Sequence, residues 1–253
     1  MNTPLKIWIA GASGFCGRSL VKLLAPQKEW IVLPHIRPSS SRIDRLSLEW
    51  KELGLEPIIC EWSELEDQFI KHGPDVVVSF LGTTKKQARY GGGDYQEVDL
   101  GMNQTLIRLA QELELTQEKQ PTHFIYLSSM GSEWGQWNAY LRPRLLIEET
   151  LQASCLTYSI IKPGILHGET RDEKRFGETI GAYFSYALAR FFSVLSLENL
   201  AYRVKPLDAT EIAQLVQLIL KDGYGSLAFK SDQYTISQIH TALSQSKSVG
   251  TRN

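Results

Sequence analysis

Cysteine is scarce, with three in 253 residues, at positions 16, 60 and 155. They form no C-x-x-C pair and join no histidine cluster at metal-ligand spacing, which excludes a disulfide framework and a structural zinc site. Each flanks an apolar stretch, so all three read as small buried hydrophobes. Charge of one sign is equally lacking. Lys plus Arg number 27 and Asp plus Glu 28, for a net charge of −1, which gives no electrostatic footprint for nucleic acid or an anionic membrane. Long apolar runs are also missing. The longest, Tyr183 to Leu197, carries Arg190 and falls short of the ~20 residues a bilayer requires, so no stable membrane insertion is expected. The opening run Leu5 to Ala10 is broken by Gly11 and is too short for a signal-peptide core, which predicts a cytoplasmic protein. With no repeat and 43% hydrophobic residues, the chain 1–253 reads as one globular domain.

What is present is a regular alternation. Leu5 to Ala10 reads as a strand, the glycine-rich turn after it as a tight connection, and Phe15 to Leu24 as a helix. Further strand-like runs occur at 30–33, 57–60, 76–81, 124–127 and 158–161. They are mostly continuous rather than alternating in apolar character, as in parallel strands covered on both faces. Helical spacing falls between them near 41–51, 63–71, 94–115 and 139–153. The order βαβαβαβαβαβ predicts an α/β fold built on a doubly wound parallel sheet. After Pro163 come a charged segment, an aromatic-rich stretch, a short strand containing Val204, and a helix from about Asp208 to Leu220. This part reads as a small helical C-terminal cap on the substrate side, with 166–205 as a cap-like insertion. The residues from about Ser244 read as a solvated tail.

Gly11-Ala12-Ser13-Gly14-Phe15-Cys16-Gly17-Arg18 spells G-x-x-G-x-x-G between the first strand and helix. Glycines there allow a tight turn and let backbone N–H groups approach a pyrophosphate at the positive end of the helix. In the first βαβ unit that pattern indicates dinucleotide binding. An NAD site would carry Asp or Glu after the second strand, but Leu33-Pro34-His35-Ile36-Arg37-Pro38 has neither. Arg37, joined by Arg18, is suited instead to a 2′-phosphate, which favours NADP(H) over NAD(H). Leu81-Gly82-Thr83-Thr84 places small groups at the carboxyl edge of the fourth strand. Cys60-Glu61-Trp62 ends the third strand beside the adenine or in packing. The segment with Lys85, Lys86, Arg89 and Gly91 to Gly93 lacks the G-K-[ST] ending of a phosphate-binding loop, so triphosphatase chemistry is excluded.

Ser128-Ser129 follows the fifth strand, and Tyr140 precedes Arg144 by four residues. This arrangement resembles the Ser, Tyr-x-x-x-Lys pattern of the short-chain dehydrogenase/reductase family. More narrowly, the chain is similar to the atypical, Tat-interacting-protein-like NAD(P)-binding branch. The resemblance rests on Gly11 to Gly14 with Gly17-Arg18, Leu81 to Thr84, His123 to Ser129, Tyr140-Leu141 and Lys162 to Leu166. It implies a Rossmann fold that binds NADP(H). It further implies Tyr140 as the proton-transferring group, Ser128 or Ser129 as the hydroxyl that orients a carbonyl, and Arg144 in the lysine's place. Pro163, Gly164, Ile165 and Leu166 are implied as cofactor contacts. At i, i+4 spacing Tyr140 and Arg144 share one helical face if Asn138 caps the helix. If the helix begins near Pro143, where proline fits, Tyr140 leaves it.

Trp134 and Trp137 wall a substrate pocket or pack locally. Tyr183, Phe184, Tyr186, Phe191 and Phe192 supply a lid, a homodimer surface, a membrane-surface face or buried packing. The expected activity is NADP(H)-dependent hydride transfer to or from a small carbonyl or alcohol, with a small molecule as partner. The alternative is a non-catalytic NADPH-binding regulator or scaffold. A nucleotide-sugar epimerase would need more residues after 165 than the chain has.

Overall fold

The computed structural model describes residues 3–82, 100–117, 122–138, 141–164, 166–167, 206–226 and 230–250. The central strands β1 (Leu5–Ala10), β2 (Trp30–Ile36), β3 (Ile58–Ile59), β4 (Val76–Ser79), β5 (His123–Leu127) and β6 (Thr157–Lys162) are joined by a further strand, β9 (Asp232–Thr235). They form one seven-stranded sheet in the order β3-β2-β1-β4-β5-β6-β9, with every pair parallel. Ile7 lies between Val32 and Val76, so β1 sits where the winding reverses, and its carboxyl end opens on the crevice that such sheets use for ligands.

The continuous apolar character of these strands reflects cover on both faces. Successive side chains point to opposite sides, so Ile7, Ile9, Val76, Val78, Ile125 and Ile161 enter one core. There they meet α1 (Phe15–Leu24), α2 (Ile43–Glu52), α6 (Ala209–Ser226) and α7 (Ile236–Gly250). Trp8, Ala10, Val77, Phe124, Tyr126 and Ile160 enter the other, against α3 (Leu65–His72), α4 (Met102–Gln117) and α5 (Arg142–Ala153). The fold is therefore the doubly wound α/β architecture that the alternation predicts.

The C-terminal third departs from expectation. The short strand of this region is β8 (Leu207–Asp208), which pairs with β7 (Leu166–His167); Val204 lies outside the described residues. The stretch 168–205, read as a cap, also lies outside them. Helix α6 is part of the main domain, because it buries Ile212, Val216 and Leu220 in the first core. From Ser244 the chain is helical, and Ser244 and Gln245 are exposed, as a solvated end would be. They continue α7, which docks upstream through the buried Ile239, His240 and Leu243. Cys16 and Cys60 are buried as expected, but Cys155 is exposed beyond the end of α5, where the apolar neighbour Leu156 takes the interior place.

Polar groups also stitch the sheet. The buried His123 ring on β5 reaches Thr157 Oγ1 through Nδ1 and Ser159 Oγ through Nε2, each at 3.0 Å. Burial holds its pKa down at about 3.

This packing has two measurable consequences. Leu243→Ala should cost about 2–5 kcal/mol in urea unfolding, the range for truncating a buried leucine, whereas Ser244→Ala at its exposed neighbour should move stability by about 0.5 kcal/mol or less. Folded His123 stays neutral while the unfolded chain takes up a proton below about pH 6.5, so its contribution is full above that pH and is lost as pH falls toward 3. Thermal melts should show stability declining from about pH 7 to pH 5, with a flatter profile in His123→Gln, which cannot titrate.

Candidate functional site

The turn after β1 is built around backbone proximity. Gly11 has φ +76°, and a Cβ there would stand 2.9 Å from the Phe80 carbonyl carbon. Its own carbonyl accepts the Gly14 N–H at 2.9 Å. Gly14 is the extended N-cap of α1, and no acidic residue occupies the first helical turn. A Cβ on Gly17 would approach the Gly11 carbonyl oxygen to 2.3 Å and Ala12 Cα to 2.7 Å, so the third glycine lets helix and turn touch. The result is a backbone cradle at a helix N-terminus that a side chain would fill, and its chemistry fits a pyrophosphate. Ser13, Gly14 and Phe15 are half-buried along it, as is Arg18, while Cys16 and Gly17 are buried. The Cys16 side chain is committed to the first core, which leaves its backbone for any cofactor contact.

At the end of β2, Arg37 is exposed, and its carbonyl accepts the Ser40 N–H at 3.0 Å. His35 beside it is buried. It contacts the Cys60 carbonyl at 3.1 Å, stacks on Trp8 at 5.7 Å and meets Trp62 edge-on at 5.3 Å. Its pKa is lowered, first by burial. Trp62 is thus engaged in packing, and Glu61 forms a capping box with Glu64. Burial, then Glu64 and Glu61, push the Cys60 thiol up to about 11, which removes it as a nucleophile at neutral pH.

Beyond β4, Leu81 is half-buried and Gly82 exposed. The strand end is fixed by Ser79 Oγ, which donates to Asn103 Oδ1 at 2.5 Å and accepts from the Leu81 N–H at 3.4 Å. Asn103, buried on α4, has no signal in the sequence beyond a polar residue on an apolar helix face. Thr83, Thr84 and the basic stretch 85–93 lie outside the described residues.

Ser128 and Ser129 follow β5 at the same carboxyl edge. Ser128 is 5% exposed and donates its hydroxyl to Glu148 Oε1 on α5. Glu148 Oε2 in turn pairs with Lys162 Nζ at 2.8 Å. Neither Glu148 nor Lys162 stands out in the sequence as a site residue, since their pairing joins distant segments. Ser129 is half-buried, its hydroxyl at 3.5 Å from the Met130 carbonyl. Tyr140 lies outside the described residues. The Arg142 N–H donates to the Asn138 carbonyl at 2.8 Å and Asn138 is extended, as a helix-capping residue is, while α5 itself runs from Arg142 with Pro143 in its first turn. Proline is accommodated there because first-turn amides lack intrahelical acceptors. Arg144 is buried on the inner face of α5 with Ile147, Glu148 and Leu151.

A 3-10 turn, Ser132–Trp137, crosses in front of this helix and leaves Trp134 66% and Trp137 82% exposed. Gly135 holds it in place, since a Cβ there would meet Leu145 Cβ at 2.8 Å. Pro163 is buried, and its carbonyl accepts the Met130 N–H at 2.8 Å. Gly164 is half-buried, and Leu166 packs against the first core. Ile165 and the aromatic residues 183–192 lie outside the described residues. Among the described residues no cluster of His, Cys, Asp or Glu could hold a metal ion, and no helix is long and apolar enough to cross a membrane.

Solved structures share this fold. A short-chain dehydrogenase/reductase family oxidoreductase from Burkholderia thailandensis is 14% identical, with a TM-score of 0.65 over 98% of each chain. The UDP-Glc/GlcNAc 4-epimerase of Campylobacter jejuni is 12% identical, with a TM-score of 0.60 over 95% of this chain and 83% of its own. The Bordetella bronchiseptica enzyme WbmH, solved in complex with NAD+, is 14% identical, with a TM-score of 0.58 over 85% of this chain and 72% of its own. No curated protein sequence matches significantly. Residues 11–190 match the NAD(P)H-binding family profile, a span that starts at the first glycine of the cradle. The chain belongs to the NAD(P)H-binding family.

Proposed function

We propose that the protein is an NADP(H)-dependent oxidoreductase that transfers a hydride to or from a small carbonyl or alcohol. The observation that carries this reading is the backbone cradle of Gly11, Gly14 and Gly17 at the point where the sheet winding reverses. When bound, the dinucleotide would supply the hydride. Gly11 to Gly17 would hold its pyrophosphate by backbone N–H groups, and Leu81 and Gly82 would flank it at the end of β4. Pro163 to Leu166, at the end of β6, would line its reactive half.

Arg37 supports the choice of NADP. It is exposed at the end of β2, where the chain offers no carboxylate to take ribose hydroxyls, and a guanidinium matches a phosphate in a bidentate way. Arg18 on the first turn of α1 would add to that field.

In the reacting centre, Tyr140 would donate or accept the substrate proton and a serine after β5 would donate to the carbonyl oxygen. Arg144 would supply a fixed positive charge without taking part in proton transfer. Its burial on α5 favours a second reading, a cofactor-binding regulator without turnover. Location in the cytoplasm and assembly as a homodimer accord with either.

Replacing Arg37 with Asp should weaken NADPH binding about tenfold to a hundredfold, the worth of a charge-assisted contact, while NADH binding holds or improves. Fluorescence titration with both cofactors checks this, and equal NADPH affinity in the two proteins would remove Arg37 from the site. Tyr140→Phe should keep NADPH affinity and lose turnover across a panel of aldehydes and ketones. Tight NADPH binding by the wild-type protein without turnover on that panel would establish the regulator instead.

A further inference from the structure

We infer that Glu148 is a positioning residue that commits Ser128 to the protein framework and leaves Ser129 as the hydroxyl that faces the substrate oxygen. The inference rests on the oxidoreductase reading and assigns roles within that site. A serine hydroxyl carries one proton, and a carboxylate can only accept. Ser128 gives its proton to Glu148 Oε1, while Lys162 Nζ pairs with Oε2 at 2.8 Å. Toward anything else Ser128 can then only accept, whereas an oxygen gaining negative charge needs a donor.

The backbone makes the same division. Ser128 N–H donates to the Ile161 carbonyl and Met130 N–H to the Pro163 carbonyl, each at 2.8 Å. The two amides on either side of Ser129 are thereby clamped to the end of β6, in the alternation of a parallel ladder. Adjacent side chains on such a segment leave on opposite sides. With Ser128 turned into α5, Ser129 projects away from it, half-buried, its hydroxyl engaged among the described residues only at 3.5 Å by the Met130 carbonyl. Glu148 strengthens the clamp from the side chains, because its two oxygens tie the residue after β5 to Lys162, the last residue of β6. Glu148 is 3% exposed and on α5, so it acts beneath the edge and not at it.

Cysteine substitution with iodoacetamide labelling tests the arrangement in full-length protein carrying Cys155→Ser, which removes the exposed native thiol. Ser129→Cys should label readily and Ser128→Cys hardly at all. NADPH at about 100 times its Kd should slow Ser129→Cys labelling by up to about a hundredfold. Glu148→Gln, added to Ser129→Cys, should lower Tm and largely abolish that protection. Adding Lys162→Met to that variant removes the unpaired buried ammonium and should restore Tm without restoring protection. Glu148→Asp should recover part of both. In turnover assays on the same carbonyl panel, Ser129→Ala should lower kcat by about a hundredfold with NADPH affinity kept, and Ser128→Ala by far less.

Faster labelling at position 128 than at 129 would overturn the division of roles. Joint recovery of Tm and protection in the Glu148→Gln, Lys162→Met protein would make Glu148 merely structural. If NADPH fails to bind at all, the oxidoreductase reading falls, while the labelling contrast without cofactor still decides which serine is exposed.

Discussion

The structure depends on how closely a helix can approach a strand end. Gly17 on α1 lies where any side chain would come within 2.3 Å of the Gly11 carbonyl oxygen, and Gly11 itself fits between β1 and the backbone leaving β4 only without a Cβ. These contacts place the α1 N-terminus directly over the crevice between β1 and β4. They also seat Leu20, Val21 and Leu24 in the first core, where α6 completes the same face. Cofactor geometry and fold stability thus share one constraint, so the glycines cannot vary for one role without disturbing the other.

A second constraint sits under the rim of the site. Glu148 and Lys162 form an ion pair with side chains 4% and 15% exposed, in a setting where desolvation offsets much of the Coulombic gain. Such a pair is a poor source of net stability, and an apolar pair of similar volume would serve the core about as well. Removing one partner is another matter, costing about 3–5 kcal/mol through the charge left behind. The pair makes better sense as a geometric device, since it fixes two strand ends and a hydroxyl relative to one helix. Asn103 plays a comparable part at the end of β4, where it receives the Ser79 hydroxyl.

Features written in local sequence are legible, and those made by distant partners are not. Continuous apolar runs announce the strands buried on both faces, and the glycine spacing announces the cradle together with the helix that begins there. The seventh strand, Asp232-Gln233-Tyr234-Thr235, is polar and at the sheet margin, exposed at Asp232 and Thr235, so neither alternation nor hydrophobicity marks it. Its partner β6 supplies the apolar surface that a lone strand would need. Helix α7 escapes a reading by pattern because its buried apolar residues are as sparse as Ile239 and Leu243, with His240 buried between them and Gln238, Thr241, Ser244 and Gln245 exposed. Pro143 is ambiguous by nature: with no N–H it interrupts the ladder between the turn closed on the Asn138 carbonyl and α5, so it marks a boundary without saying on which side the helix begins. Glu148 carries no local signal, because its partners lie on segments 20 and 14 residues away that only the parallel pairing of β5 and β6 brings together (148 − 128 and 162 − 148).

The topology also separates what the domain holds rigid from what it can vary. β7 and β8 pair through Leu166 with Leu207 and His167 with Asp208, so both ends of the intervening segment are fixed to the domain within a few ångströms of each other. One end continues from Pro163, whose carbonyl is bound to the loop after β5, and the other enters α6, whose inner face is part of the first core. A segment tethered in this way can change in sequence and length at a modest entropic cost, because closing a longer loop between fixed ends costs little more than closing a shorter one. The glycine cradle, the Ser128 to Glu148 contact and the Lys162 pair are all formed by residues outside it. The glycine cradle therefore belongs to the sheet and its helices, and the tethered segment and the exposed Trp134 and Trp137 turn can vary without altering it.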